Sequence, residues 1–289
     1  MATKPITVVL DTTLSDYCPL AKPEVNFLIA ITAAAAFCIG SPAGLSQFPW
    51  LLLTNTVLGT LLVASGAGAL NQWIEHPFDA RMRRTARRPI ASGRIHPDHA
   101  LLFGALLALT GVLCLTLAVG PAASLLALLT LSWYLLLYTP LKRRTPLCTL
   151  IGAFPGAMPV LIGYVATAGK LDRPAWLLFA ILFLWQLPHF MAIAWMYRED
   201  YGRAGYRVLP EGGHRTLLVT CQTLVPLLAL APLSWLVAPL AAALPLAIGF
   251  LYYGVRFAIR RSTVDARRLL FASIIYLPAL FGMAVLFRK

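Results

Sequence analysis

Charged residues are scarce in this chain, and acidic residues are the scarcest. Asp and Glu together account for only 11 of 289 residues, and charged residues for 12%, whereas hydrophobic residues account for 59%. This composition excludes an ordinary soluble domain, in which about a quarter of the residues are charged. The five cysteines form no CxxC pair, so neither a zinc site nor a disulfide framework is indicated. Residues 1–24 show no apolar signal segment, and we expect a polar cytoplasmic tail there.

Long apolar segments are abundant. A helix needs about 20 apolar residues to cross a bilayer, and segments of that size recur at 25–45, 51–73, 98–118, 121–141, 147–168, 174–196, 216–236, 238–259 and 268–287. Their apolar residues are continuous instead of alternating, which favours helices over barrel strands. Because prolines lie at several junctions between segments, eight and ten remain alternative numbers of spans. We predict an all-α, polytopic bundle of about nine transmembrane helices, forming a single domain over residues 1–289 in the lipid bilayer.

Basic residues fall mostly on one side of these spans. If the N-terminus is cytoplasmic, most of the 24 Lys and Arg residues lie on inside segments. Only Lys170, Arg173, Arg288 and Lys289 lie outside. The formal charge of +13 therefore reflects the positive-inside rule, and we expect no nucleic-acid partner. We predict a bacterial inner-membrane protein with its N-terminus and charged loops in the cytoplasm.

One charged loop combines an amide, two carboxylates and several arginines. In NQWIEHPFDARMRRTARRP, residues 71–89, Asn71, Glu75 and Asp79 recur every four residues, which places their oxygens on one helical face. We expect a loop after the second span, and we expect Pro77 to interrupt the helix at that point. Such oxygens suit Mg²⁺, and neighbouring arginines suit phosphate groups. The alternative is that the carboxylates simply pair with Arg81, Arg83 or Arg84 at the membrane surface.

Two further loops are predicted on the same face. WMYREDYGRAGYRVLPEGGHRT, residues 195–216, places acids beside basic and tyrosine side chains, and YTPLKRRTP, residues 138–146, contains three adjacent cations. Together the loops predict a site for a metal and a diphosphate. The span interiors are nearly free of charge, which disfavours a secondary transporter. A purely structural subunit would leave the acidic clusters without a role.

The order of these motifs resembles the UbiA-type intramembrane prenyltransferases. The matching stretches are NxxxExxxD followed by RTxxRP, then YTPLKRRTP, WQLPHF and YREDYGRAGYRVLP, and they extend over roughly residues 50–216. Within that family they are most similar to the branch that farnesylates heme. A member acting on a quinone-precursor aromatic ring is the alternative, and YTPLKRRTP and the DYxxAG pattern disfavour it.

The resemblance implies a bundle around a central cavity that opens toward the cytoplasm. Farnesyl diphosphate would donate its farnesyl group to heme B (protoheme IX), giving heme O and pyrophosphate. By motif, Asn71, Glu75 and Asp79 would hold one Mg²⁺, and Asp200 would hold another. The expected diphosphate-binding residues are Arg84, Arg88, Lys142, Arg143, Arg144, Tyr138 and Tyr201. The metal ligands with Arg84 and Lys142 would form the catalytic set. A heme A synthase or the assembly of a terminal oxidase would be the partner that receives the product.

Two positions depart from the family pattern. Glu75 stands where the family usually has Asp, which moves the carboxylate outward by one methylene group. Ala204 stands where quinone-pathway members have the second Asp of a DxxxD pair. A second metal ion would lack a ligand there unless Glu199 supplied it, so one or two Mg²⁺ ions remain open. His189, in WQLPHF, and His76 are the candidates for approaching the heme iron or a propionate.

Overall fold

A computed structural model describes residues 13–42, 44, 47–209 and 214–287. Most of the predicted N-terminal tail, and the charges of Lys4, Arg288 and Lys289 used for orientation, lie outside the described residues. Within the described residues the chain is helical and contains no strand.

The helices follow one another with short connections. In chain order they are α1 (Leu14–Ala21), α2 (Pro23–Gly40), α3 (Trp50–Asp79), α4 (Pro97–Ala118), α5 (Pro121–Ser132), α6 (Thr139–Leu141), α7 (Cys148–Ala168), α8 (Arg173–Met196), α9 (Arg198–Arg203), α10 (His214–Trp235), α11 (Leu240–Arg260) and α12 (Thr263–Leu286). A π-helical turn, Trp133–Tyr138, joins α5 to α6. Counting α5, this turn and α6 as one span, the described part of the chain has nine helices long and apolar enough to cross a membrane. The predicted all-α bundle is confirmed.

Helix α3 is longer than the sequence analysis predicted. It continues through Pro77 to Asp79, so Glu75 and Asp79 lie on the helix and not on a loop after it. The prediction that Pro77 interrupts the helix was wrong. Proline has no N–H to donate to the carbonyl four residues earlier, and here the His76 Nδ1 donates to that oxygen, on Trp73, at 2.6 Å. The last turn of α3 therefore keeps its hydrogen bonding.

Two other span boundaries were also wrong. Helix α2 ends at Gly40 and not at residue 45, because Ser41 precedes Pro42 and adopts the extended conformation that proline imposes on its predecessor. Helix α12 begins at Thr263 and not at residue 268. Ser262 caps it by accepting a hydrogen bond from the Asp265 backbone N–H at 3.0 Å.

Small residues let the helices approach closely. A Cβ atom on Gly66 of α3 would lie 2.6 Å from the backbone N of Ala108 on α4, and one on Gly163 of α7 would lie 2.0 Å from the carbonyl oxygen of Ala33 on α2. Small residues at such contacts are typical of helix association in lipid. Helix α7 is the most buried span, with 78% of its apolar segment inside the bundle. It therefore forms the centre of the fold.

The alternating direction of the spans brings specific helix ends together. One end of the bundle contains the C-terminal ends of α3, α6 and α8. The same end contains the N-terminal ends of α2, α7 and α10. Most of the polar residues singled out in the sequence lie at these helix ends.

Candidate functional site

A cavity of about 170 Å³ opens at this end of the bundle. Its wall combines the last turns of α3 with the π-helical turn, α6, the start of α7, the end of α8 and the segments after α3 and α9. The polar side chains lining it are Lys22, Asn71, Glu75, Asp79, Arg84, Thr85, Arg88, Tyr134, Tyr138, Lys142, Thr149, Tyr201 and Tyr206. The apolar side chains include Met82, Phe190, Ile193, Ala194 and Val208.

Each of the three predicted metal ligands on α3 is bonded to a cation from another part of the chain. Their four-residue spacing places them on one face of the helix, as expected. The bonds are Lys22–Asn71 at 3.1 Å, Lys142–Glu75 at 2.9 Å and Arg88–Asp79 at 2.7 Å. The two carboxylates are thus paired with Lys142 and Arg88. Both cations are farther along the chain than the arginines that directly follow α3, which the alternative interpretation named as partners. The site therefore brings together a row of oxygen-bearing side chains and a row of basic side chains.

Asn71 is held by a small hydrogen-bond network. Its Nδ2 donates to Thr139 Oγ1 at 3.1 Å, and its Oδ1 accepts from Lys22 Nζ and from the Tyr134 hydroxyl at 3.4 Å. Thr139 Oγ1 donates to the Tyr134 carbonyl at 2.8 Å. The Thr139 backbone N–H donates to the same oxygen, five residues earlier in the chain, which is the hydrogen-bond pattern of a π-helix. That turn therefore orients Tyr134 and Tyr138, whose rings lie 5.3 Å apart, beside α3.

Glu75 and Lys142 form the best-enclosed pair of the site. Only 8% of the Glu75 side chain and 14% of the Lys142 side chain are exposed, and Nζ contacts both carboxylate oxygens. Burial by itself lowers the pKa of Lys142, but the Glu75 carboxylate outweighs it and holds that pKa well above its ordinary value. The Lys142 ammonium also lies 4.6 Å from the centre of the Tyr138 ring. Lys142 is therefore a fixed positive charge.

Asp79 has one carboxylate oxygen without a partner. Arg88 bonds Oδ2, whereas Oδ1 is buried and has no hydrogen-bond partner among the described residues. A buried, ionised oxygen without a partner is costly, and a bound cation is the usual remedy. The donor set of two carboxylates and an amide fits Mg²⁺, which typically keeps several waters and substrate oxygens as ligands. Among the described residues no three His, Cys, Asp or Glu side chains form a complete metal site.

Asp200 lies beside the cavity and does not line it. Its Oδ2 accepts the backbone N–H of Arg84 at 3.2 Å, and its Oδ1 is paired with Arg203. The bond to Arg84 holds α9 against the segment after α3, whereas the pair with Arg203 lies within α9. The Arg84 side chain, in turn, donates to the Tyr201 hydroxyl at 3.2 Å. Glu199 is 80% exposed, so its carboxylate faces away from the site.

Two predicted phosphate-binding arginines lie outside the cavity. Arg143 and Arg144 are exposed, and the Arg143 guanidinium lies 4.3 Å from the centre of the Phe78 ring. They follow Lys142 directly, so they add positive charge at the mouth of the cavity and do not line its wall.

Neither candidate heme histidine lines the cavity. His189 Nδ1 is hydrogen-bonded to Ser273 Oγ at 2.8 Å, and its ring is stacked on Trp185 with the ring centres 4.8 Å apart. Iron ligation would therefore have to use Nε2. His76 completes the end of α3, as described above. Heme ligation by either histidine stays a prediction.

Several cavity residues were not predicted from the sequence, among them Lys22, Tyr134 and Tyr206. Lys22 lies between α1 and α2, and burial lowers its pKa below the ordinary value for lysine. Tyr134 is one turn before the predicted Tyr138. Tyr206 has a buried hydroxyl with no hydrogen-bond partner among the described residues, and burial, with the Glu75 carboxylate, raises its pKa above the ordinary value. The Tyr206 hydroxyl therefore keeps its proton and can donate it in a hydrogen bond.

Comparison with known proteins identifies relatives by sequence and, separately, solved structures with a similar fold. Residues 28–275 match the UbiA prenyltransferase family. A protoheme IX farnesyltransferase from Solibacter usitatus is 44% identical over 289 residues, covering 95% of this chain and 99% of that protein. The mitochondrial protoheme IX farnesyltransferase of Homo sapiens is 39% identical over 269 residues, covering 90% of this chain and 59% of that protein.

Two solved structures share the fold at low sequence identity. A digeranylgeranylglyceryl phosphate synthase superimposes with a TM-score of 0.73 at 18% identity, covering 94% of this chain and 97% of that one. A UbiA homolog from Archaeoglobus fulgidus, bound to GPP and Mg²⁺, superimposes with a TM-score of 0.65 at 12% identity, covering 93% of this chain and 99% of that one.

Proposed function

The chain belongs to the UbiA prenyltransferase family, and we propose that it transfers the farnesyl group of farnesyl diphosphate to a vinyl group of heme B, with addition of water, giving heme O and pyrophosphate. The resemblance stated from the motifs is confirmed, because relatives named protoheme IX farnesyltransferase match nearly the whole chain. The observation that carries the chemistry is the pairing of Asn71, Glu75 and Asp79 with cations inside one cavity.

We propose that Asn71, Glu75 and Asp79 hold Mg²⁺. The partnerless Asp79 Oδ1 supports this, as does the solved UbiA homolog that contains GPP and Mg²⁺. When bound, Mg²⁺ supplies charge that stabilises the leaving pyrophosphate. Asp200, by contrast, does not line the cavity, and both of its oxygens are bonded, Oδ1 to Arg203 and Oδ2 to the Arg84 N–H, so the geometry favours one firmly bound ion at the α3 residues.

The cavity cations are placed to bind the diphosphate. Arg84, Arg88 and Lys142 line the same cavity as the oxygen ligands. Arginine guanidinium groups bind phosphate oxygens through paired N–H donors, and a lysine ammonium acts as a point charge. Tyr138 and Tyr201 lie against these cations, which limits where they can move. Arg143 and Arg144 would attract the diphosphate at the cavity mouth.

The reaction needs no basic nucleophile. The bond between farnesyl C1 and the diphosphate oxygen breaks, pyrophosphate leaves with the electron pair, and an allylic cation remains. The π electrons of the vinyl group then form the new carbon–carbon bond, and water adds to the resulting cation and loses a proton. Stabilising the leaving group is therefore the main catalytic task. The apolar side chains of Phe190, Ile193 and Val208 keep water away from the cation until the vinyl group has reacted.

The membrane setting follows from the fold and the charge distribution. The protein is a multi-pass membrane enzyme with nine apolar spans among its described residues. We propose that it lies in the bacterial inner membrane with the cavity facing the cytoplasm, because the basic residues gather at that end. Its product would pass to a heme A synthase or to the assembly of a terminal oxidase.

Acceptor identity is tested by direct competition. Protein in nanodiscs is incubated with farnesyl diphosphate, Mg²⁺ and equal amounts of heme B and 4-hydroxybenzoate, and the products are identified by mass spectrometry. We expect farnesylated heme and no prenylated benzoate. Prenylated benzoate without heme O would favour the quinone-precursor alternative. Absence of any prenylated product from folded protein would contradict prenyl transfer to either acceptor and return attention to the transporter alternative.

A further inference from the structure

A second, smaller cleft lies next to the main cavity. It measures about 70 Å³ and is lined by Arg198, Tyr201, Gly202, Tyr206, Leu209 and Arg215. Two of these residues, Tyr201 and Tyr206, also line the main cavity, so their side chains form the wall between the two spaces. None of the cations assigned to the diphosphate lines the smaller cleft.

Among the residues that the structure describes, the lining of the smaller cleft includes two arginines and no acidic residue. The Arg198 Nη1 donates to the Trp195 carbonyl at 2.9 Å, and its guanidinium lies 5.2 Å from the centre of the Trp195 ring. Glu199 is 3.9 Å from Arg198 and 80% exposed, a separation and exposure at which an ion pair contributes little. Arg215 lies in the first turn of α10, where the helix dipole favours an anion. The cleft therefore suits an anion that needs no metal.

We propose, on the basis of the proposed function, that this cleft binds the propionate carboxylates of the heme acceptor and thereby directs its vinyl edge into the main cavity. Arg198 and Arg215 supply the charge, because planar guanidinium groups match carboxylates through paired hydrogen bonds. The carboxylates cannot enter the hydrocarbon region without a large cost, and this cleft lies where α8 ends and α10 begins. The diphosphate, by contrast, requires the metal-binding oxygens of the main cavity.

The two shared tyrosines form an aromatic surface between the two spaces. Their ring centres are 6.0 Å apart and their planes are nearly perpendicular, at 87°. The Tyr201 hydroxyl accepts a hydrogen bond from Arg84, and the buried Tyr206 hydroxyl has no partner among the described residues. An acceptor with propionates in the cleft would lie along this aromatic surface and meet farnesyl C1 beside the diphosphate-binding cations.

The test compares heme B with its dimethyl ester, in which both propionates lose their charge. For the unaltered protein we expect the ester to raise KM for the acceptor by about tenfold or more, with KM for farnesyl diphosphate unchanged. In the Arg198→Gln/Arg215→Gln variant, KM for heme B should rise by a similar factor, and the preference for heme B over the ester should disappear. Arg83→Gln is the matched control, because Arg83 is exposed and lines neither space.

The outcomes separate this inference from the function it depends on. Equal KM values for heme B and the ester in the unaltered protein would overturn the proposal that the cleft binds propionates, while leaving heme farnesylation intact. This comparison does not depend on the folding of any variant. Full preference for heme B in the double variant would also overturn it. If no heme is farnesylated but another acceptor is prenylated, both the cleft and the proposed acceptor are wrong. An unchanged KM for farnesyl diphosphate shows that the double variant is folded.

Discussion

Lys142 Nζ lies 2.9 Å from Glu75 Oε1 and 3.1 Å from Oε2, which joins two segments that are 67 residues apart in the chain. One segment is the end of α3 and the other follows α6. The pair therefore has two consequences. It fixes the position of α3 relative to α6, and it places the proposed metal ligand Glu75 beside the proposed phosphate-binding cation Lys142.

We predict that Lys142→Met destabilises the protein and that adding Glu75→Gln restores most of the stability. Removing one member of a buried ion pair leaves the other charge uncompensated and costs about 3–5 kcal/mol, whereas removing both charges is often nearly neutral. Thermal unfolding in detergent measures the difference, with Arg83→Gln as an exposed control. The double variant should still lack farnesyl transfer. If Lys142→Met unfolded at the same temperature as the unaltered protein, the buried pair would have no structural role.

Gly163→Ala is predicted to disrupt the contact between α7 and α2. The added Cβ would lie 2.0 Å from the carbonyl oxygen of Ala33, a backbone atom that cannot move aside alone. Overpacking of this kind costs about 1–3 kcal/mol. Gly249→Ala is the matched control, because a Cβ there meets nothing within 4 Å and alanine favours the helix. Equal thermal stability of the two variants would contradict the close approach of α2 and α7.

The orientation of the bundle can be tested with a native cysteine. Cys18 is exposed on α1, just before Lys22, and lies at the cavity end of the bundle. We expect a membrane-impermeant maleimide to label Cys18 in inverted membrane vesicles and not in intact spheroplasts. Cys18→Ser, assayed in parallel, identifies the labelled residue. Labelling in spheroplasts alone would place the cavity on the outer face.

The sequence predicted the spans well because bilayer thickness sets their length. Their ends were less predictable, because they depend on single local interactions. Helix α3 continues through Pro77 because the His76 side chain supplies the missing hydrogen bond, and α12 starts early because Ser262 caps it. No hydrophobic pattern encodes such contacts.

The site was predictable where its residues are close in sequence. The four-residue spacing of Asn71, Glu75 and Asp79 follows from helix geometry. Lys22 meets Asn71 across 49 residues, a contact that depends on how α2 packs against α3. Tyr206 follows α9 with no periodic signal. Asp200 was assigned to a metal by motif, and its bonds to Arg203 and the Arg84 backbone became visible only in the folded chain.

The central claim is that the oxygen atoms on α3 hold the metal that allows farnesyl transfer to heme. The most direct measurement is heme O formation, followed by mass spectrometry, by purified protein supplied with heme B and farnesyl diphosphate, with Mg²⁺ or with EDTA, alongside Asp79→Asn. We predict heme O only with Mg²⁺, and a loss of about a hundredfold or more in the variant. Heme O formed equally in EDTA, or at an undiminished rate by Asp79→Asn, would contradict the account.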